Sequence, residues 1–339
     1  MKHANSIEQS DCYSSSITRQ TFLRLVLNGT ATLSLAAAGL RFGIAEAMAQ
    51  APATVEANVI EVAHGVFVHQ GRHGVYAPDN GGDICNTGFI IGDDAVAVVD
   101  TGGTALLGAA LKARISTLTD RPVRYVINTH MHPDHVLGNA AFKADGCQFV
   151  GHEKLAPALL ARAERYLAYN KAAVGEKAFA GTEIVLPTVG VADHHEIDLG
   201  GRTLALLARA TAHTDNDLTV RDEKTGTLFT GDLIFSGHVP TLDGSIRGWL
   251  KLLAELQPAA AERIVPGHGP AAMNWPAASA PVKRYLEVVA AGVRAAIASG
   301  RTMRDAIETV GESERANWQL FDEFHRRNVS AAFAELEWE

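Results

Sequence analysis

The run Thr129-His130-Met131-His132-Pro133-Asp134-His135 gathers three imidazoles and a carboxylate into six consecutive residues. A single histidine on an apolar face is ordinarily structural, but four such groups in one loop read as half of a two-metal site. The segment before it, Val123 to Asn128, is β-branched and aromatic and predicts a strand ending just before His130. Alternate side chains of extended backbone share a face, so His130 and His132 can converge on one ion. Pro133 bends the chain after them. Asp134 and His135 are then better placed for a second ion a few Å away, as in paired metal sites.

Such a site needs about six or seven protein ligands, and three further groups qualify. His213 follows the strand-like Thr203 to Leu207 and precedes Leu218-Thr219-Val220. Asp232 ends the strand-like run Leu228 to Asp232. His268 stands between Gly267 and Gly269, which permit a tight turn. All three are expected at strand ends, where a sheet scaffold holds functional groups. Ligation rich in imidazole suits zinc, with iron or manganese also compatible. Cys85 and Cys147 have no CxxC partner and fall outside these clusters, so they are expected to take no part in the metal site. They could form a disulfide or remain free.

The elements around these residues are those of a globular protein. Of the 339 residues 47% are hydrophobic and 20% charged, and the formal net charge is −8, a balance that disfavours nucleic acid and anionic membrane as partners and favours a small-molecule substrate. Near the N-terminus Arg19 and Arg24 precede an apolar stretch from Leu25 to Leu40 and then Ala47-Met48-Ala49, which predicts an export signal over residues 1–49, cleaved after Ala49. Thr18 to Arg24 resembles a twin-arginine signal with Gln20 in place of the second arginine, so either that route or general secretion would deliver a periplasmic protein. A membrane anchor is the competing reading. Asn28, Gly29, Thr30, Thr32 and Ser34 interrupt the stretch, which is shorter than the roughly 20 apolar residues of a span. Removal of the signal would leave no membrane segment. The expected organisation is residues 50–280 as a catalytic domain and 281–339 as helices packed on it. Apolar spacing predicts a helix within His152 to Ala180, either a cap over the site or plain core. Others are predicted after Pro281, over Met303 to Val310 and over Glu314 to Leu336.

The order HxHxDH, then His213, then Gly231-Asp232, then Pro266-Gly267-His268-Gly269 resembles the metallo-β-lactamase-fold hydrolases over most of residues 58 to 275. The resemblance implies an α+β fold, a four-layer αββα sandwich with extra C-terminal helices. Gly88 to Gly102 looks like that fold's opening hairpin. It implies that His130, His132 and His213 hold one zinc ion, that Asp134, His135 and His268 hold the other, and that Asp232 bridges them. Asp100 would stand behind a ligand imidazole, although before Gly102-Gly103 it could equally be a turn residue. An aspartate at the bridge resembles the hydroxyacylglutathione hydrolases and lactonases more than the true β-lactamases, and His132 stands where the diiron oxidoreductases of the fold carry glutamate. Gly231 to Pro240, Asp243 to Leu250 and Arg327 to Trp338 resemble the exported quinoprotein relay system zinc metallohydrolases, which would link the chain to a periplasmic quinoprotein system.

The implied chemistry is hydrolysis of an ester, thioester, lactone or related carbonyl compound by a water that two cations acidify, with Asp134 as the catalytic group that orients it. His238 could line the substrate pocket or be an idle loop histidine. Arg247 could take an anionic group or pair with Asp243. The rival readings are a β-lactam hydrolase and a non-catalytic metal-binding accessory protein.

Overall fold

The computed structural model describes residues 56–256 and 261–339; the predicted export signal lies outside them. Val96-Ala97-Val98-Val99 shows how the layers arise. Val96 and Val98 pack outward with Leu111 and Ile115 of a helix, while Ala97 and Val99 pack inward against a second sheet, following the two-residue period of a strand.

The first sheet has seven strands in sequence order: β1 (Val59–Ala63), β2 (Val66–His69), β3 (Thr87–Ile91), β4 (Val96–Val99), β5 (Val123–Ile127), β6 (Gln148–His152) and β7 (Val189–Val191). Its first four strands pair antiparallel and the rest parallel. The hairpin β3–β4 is therefore not the opening one, since β1 and β2 precede it. The second sheet contains β8 (His194–Asp198), β9 (Thr203–Ala208), β10 (Leu218–Asp222), β11 (Thr227–Phe235), β12 (Arg263–His268) and β13 (Met273–Asn274), in the reverse spatial order β13 to β8. Only its β11–β12 pair is parallel. The inner faces meet through Val66, Val99 and Ile127 on one side and Leu204, Leu206, Val220 and Phe229 on the other.

Helices α1 (Ala105–Leu118), α2 (Pro133–Val136), α3 (Leu155–Val174) and α4 (Glu176–Phe179) accompany the first sheet in sequence. Helices α5 (Ile246–Leu256), α6 (Ala280–Ala298), α7 (Met303–Thr309) and α8 (Phe321–Leu336) follow the long strand β11. Side chains of α5, α6 and α8, with Trp249 and Tyr285 fully buried, share one apolar cluster with Leu228 and Ile264 of the second sheet. Each such aromatic or aliphatic side chain contributes roughly 1.5–3 kcal/mol on burial. The layers are thus helix, sheet, sheet, helix, with the C-terminal helices joining the outer core. The predicted helix from Glu314 to Leu336 is in fact a 3-10 turn (Glu312–Asn317) and then α8, because Leu320 between them takes a left-handed φ of 58°. In α3, Leu155 and Leu159 are buried but Leu160, placed on the same stripe by its spacing, faces solvent.

Arg202 ties the sheets together. Its Nε and Nη2 donate to the Asp222 carboxylate at 2.9 and 2.7 Å, and its Nη1 and Nη2 reach the carbonyls of Ile91 and His64 at 2.9 and 3.0 Å. Both partners of this ion pair are buried.

Candidate metal centre

Four chain segments deliver the singled-out residues to one end of the sandwich. The loop after β5 bends through His130 and is extended at His132, and Pro133 opens the short helix α2, which presents Asp134 and His135. The β9–β10 loop carries His213, and β12 ends on His268. Asp232 does not end a strand as its sequence suggests. It lies inside β11 beside a bulge at Gly231, whose φ of 51° favours glycine and whose space is closed by Thr129 Oγ1 at 2.6 Å from an added Cβ.

The donor atoms of His130, His132, His213 and Asp232 all lie within 4.8 Å of one another, as do those of His135, Asp232 and His268, so both groups could hold a metal ion. Asp232 divides between them. Its Oδ2 stands 3.7 Å from His130 Nε2 and 3.4 Å from His213 Nε2, and its Oδ1 stands 3.2 Å from His135 Nε2 and 3.5 Å from His268 Nε2. Asp134 Oδ2 joins the second group, 3.3 Å from His268 Nε2 and 3.6 Å from His135 Nε2.

Every one of the five imidazoles is anchored through its other nitrogen. His130 Nδ1 meets Thr129 Oγ1 at 3.1 Å, His132 Nε2 meets Asp243 Oδ2 at 3.2 Å, and His135 Nδ1 meets Asp100 Oδ2 at 2.8 Å. His213 Nδ1 and His268 Nδ1 donate to the carbonyls of Thr241 and Ile84, each at 2.7 Å. The Thr129 hydroxyl donates to Asp100 Oδ2 at 2.7 Å and so accepts from His130. These anchors set tautomers in which each inward nitrogen, once its ring is neutral, offers a lone pair, which is the state a metal ligand requires. The buried atoms His130 Nε2, His135 Nε2 and Asp232 Oδ1 have no hydrogen-bond partner. Buried polar atoms are seldom left so, and cations between them fit the donor chemistry and would satisfy these atoms.

The electrostatics agree. Burial lowers His130 well below its ordinary pKa and His213 to about 4. Burial also opposes charge on His135 and His268, but Asp232 and Asp134 outweigh it, raising His135 well above its ordinary value and His268 to about 9. Asp134, despite burial, is held at about 2 by His135 and His268. The carboxylates thus demand positive charge, and metal binding at such a site releases protons.

Residues 80–268 match the family model described as the Metallo-beta-lactamase superfamily, more than half of the chain. The chain belongs to that superfamily. Among solved structures it is similar to a metallo-beta-lactamase from Pontibacter korlensis, at 21% identity with a TM-score of 0.54, over 68% of this chain and 98% of that one. It is also similar to TMB-1, at 18% identity with the same TM-score of 0.54, over 69% of this chain and 98% of that one. No curated protein matches the sequence. As a metallo-beta-lactamase superfamily member, with the αββα fold already described, it is a metal-dependent hydrolase.

In this superfamily member a cavity of about 450 Å³ opens over His132, Asp134, Asp232 and His268. His238 lines it, buried, with its ring 5.0 Å from both His268 and Phe324, and burial lowers its pKa to about 3. Its ring packs tilted against a candidate ligand ring and makes no hydrogen bond to one. Asp100, whose φ is 55°, accepts from the Thr129 N–H at 2.8 Å as well as from His135, so the turn and the support of an imidazole are one role. Asp243 is the residue that sequence reasoning misassigned. It faces His132 and Arg162 (3.6 Å), whereas Arg247 pairs with Glu335 at 3.0 Å on the surface. Asp243 Oδ2 thereby fixes a candidate ligand ring. The carbonyls of Ile84 and Thr241 carry no side-chain signal that could have marked them. Cys85 also departs from expectation, since its thiol donates to the Asp134 carbonyl at 2.8 Å and its sulfur lies within 4.8 Å of the Asp134 and His135 donors. Burial pushes that thiol well above its ordinary pKa, which keeps it protonated and disfavours it as a ligand. Cys85 and Cys147 are both free.

Proposed function

We propose that the chain is an exported, dinuclear zinc-dependent hydrolase of an ester, thioester, lactone or related carbonyl compound. The observation that carries this reading is the division of Asp232, whose two oxygens face two separate histidine groups. His130 and His213 through Nε2, His132 through Nδ1 and Asp232 Oδ2 would hold one ion. Asp134, His135, His268 and Asp232 Oδ1 would hold the other. Four nitrogen and oxygen donors per ion suit zinc, and iron or manganese would fit the same donors. Two such ions, when bound, supply an acidified water as nucleophile and a Lewis acid for the carbonyl oxygen.

The chain's own groups do the rest. Asp134 faces the cavity and is poised to orient the attacking water and to carry its proton. Phe235 and His238 pack around His268 and exclude bulk water from that side. Thr241, Ile84, Asp100 and Asp243 hold the ring tautomers. Periplasmic location rests on the signal read over residues 1–49, and a role beside a quinoprotein system rests on the resemblance over Gly231 to Pro240, Asp243 to Leu250 and Arg327 to Trp338.

The test is hydrolysis by metal-quantified mature protein across thioesters, lactones, aryl esters and β-lactams, with a chelated control. Chelator-sensitive turnover of one carbonyl class is expected, and β-lactam turnover alone would select the β-lactam reading. His132→Ala and Asp232→Ala should each lose bound metal and activity while retaining the far-ultraviolet circular dichroism of the parent. Full activity in a metal-depleted His132→Ala/Asp232→Ala protein would refute the mechanism.

A further inference from the structure

The cavity above the candidate metal centre is walled by two helix faces that share a chemistry. On α3, Arg162, Arg165, Tyr166 and Tyr169 recur at three- and four-residue spacing and all line it. Opposite, α8 contributes Phe324 and Arg327, one turn apart. Apart from the candidate ligands, the charged side chains on the cavity wall are three arginines and Asp243, and Asp243 is engaged by His132 and by Arg162 at 3.6 Å. Arg165 and Arg327 are exposed and make no hydrogen bond or ion pair with a described residue. With Asp243 already engaged, Arg165 and Arg327 leave uncompensated positive charge on the rim of a chain whose net charge is −8, and such local charge attracts an anion. Guanidinium groups match a carboxylate in shape and donor count, and the aromatic rings offer flat apolar walls on either side. The α8 wall lies beyond the residues 80–268 that the family model matches.

We infer that this cleft receives an organic anion, with Arg165 and Arg327 binding a carboxylate carried by the substrate and the tyrosines and Phe324 holding its apolar body over the metal centre. The inference rests on the hydrolase reading for the identity of the scissile bond, but the arginines can be read by binding alone.

The experiment pairs 4-nitrophenyl esters of glutarate, adipate and suberate, each with a free distal carboxylate, with their distal methyl esters, using zinc-loaded full-length mature protein. The free acid of at least one length should be preferred by about tenfold or more in kcat/KM. Arg165→Gln and Arg327→Gln should each raise its KM about tenfold, the loss expected for one charge-assisted contact, and the double variant should abolish the preference. Added salt should erode the preference in the parent. A second arm measures, by calorimetry on the same proteins, binding of 5-phenylpentanoate against 5-phenylpentanamide. Weaker binding of the acid by the variants supports the anion site even if no ester is turned over, an outcome that would count against the hydrolase reading alone. Equal kcat/KM for acid and methyl ester at every length, or acid binding unchanged in the double variant, overturns the inference.

Discussion

Replacing Asp100 by asparagine should weaken both candidate metal sites through the tautomers of two histidines. Asp100 Oδ2 accepts from Thr129 Oγ1 at 2.7 Å and from His135 Nδ1 at 2.8 Å, and Oδ1 accepts from the Thr129 N–H at 2.8 Å. If the asparagine oxygen keeps the backbone bond, its NH2 faces His135 Nδ1 and the threonine hydroxyl. His135 must then move its proton to Nε2, and Thr129 turns its own proton toward His130, which shifts that ring likewise. Both inward lone pairs are lost. If the amide flips instead, its NH2 opposes the Thr129 N–H, leaving a buried donor unpaired at about 1–3 kcal/mol of fold stability. Outer partners of ligating imidazoles are typically worth about 10- to 100-fold in metal affinity, or roughly 1.4–2.8 kcal/mol. His213 and His268, held by Thr241 and Ile84, should still bind. Zinc titration against a competing chelator, read as two stepwise constants beside the melting temperature, measures the effect. Asp243→Asn is the internal contrast, because Asp243 supports His132 alone from a partly exposed position and should cost less than tenfold. Two zinc constants within twofold of the parent, with an unchanged melting temperature, would refute the tautomer argument.

Two further outcomes concern the scaffold. Arg202→Met should destabilise the fold by about 3–5 kcal/mol at pH 7 by leaving the buried Asp222 without its partner. Burial opposes charge on Asp222, but the hydrogen bonds from Arg202 overcome it and hold the pKa below the ordinary carboxylate value. The pair's stabilisation is therefore complete above the unfolded pKa of about 3.9 and is lost as pH falls through the lower folded value. The gap in urea stability between parent and variant should accordingly narrow in acid, and a gap independent of pH would count against this account. At Gly267 an added Cβ would lie 1.9 Å from Asp232 Oδ1; Gly267→Ala should displace the candidate bridging carboxylate and lower zinc stoichiometry, and a full complement of two ions would show that the carboxylate is not constrained there.

Much of the site was legible in the chain because its ligand types are chemically conspicuous and locally spaced. His130, His132, Asp134 and His135 lie within six residues, so their types and spacing alone mark them. His213, Asp232 and His268 could be named because each ends or follows a strand-like run. The layers, too, follow from alternation such as that of Val96 to Val99. Tertiary structure decided which nitrogen faces inward in His132, His135, His213 and His268, because groups distant in sequence make that choice, whereas His130 is held by its neighbour Thr129. Asp243 lies 111 residues from His132, and the Ile84 carbonyl 184 from His268. A carbonyl has the same chemistry at every position, so no sequence pattern marks the one that matters. The same reason explains Asp243 itself, paired in sequence reasoning with nearby Arg247 and in the fold with His132, and Cys85, brought against Asp134 across 49 residues. It also explains the arginine rim, since α3 and α8 are far apart in sequence and face one cavity only once both have packed onto the sandwich.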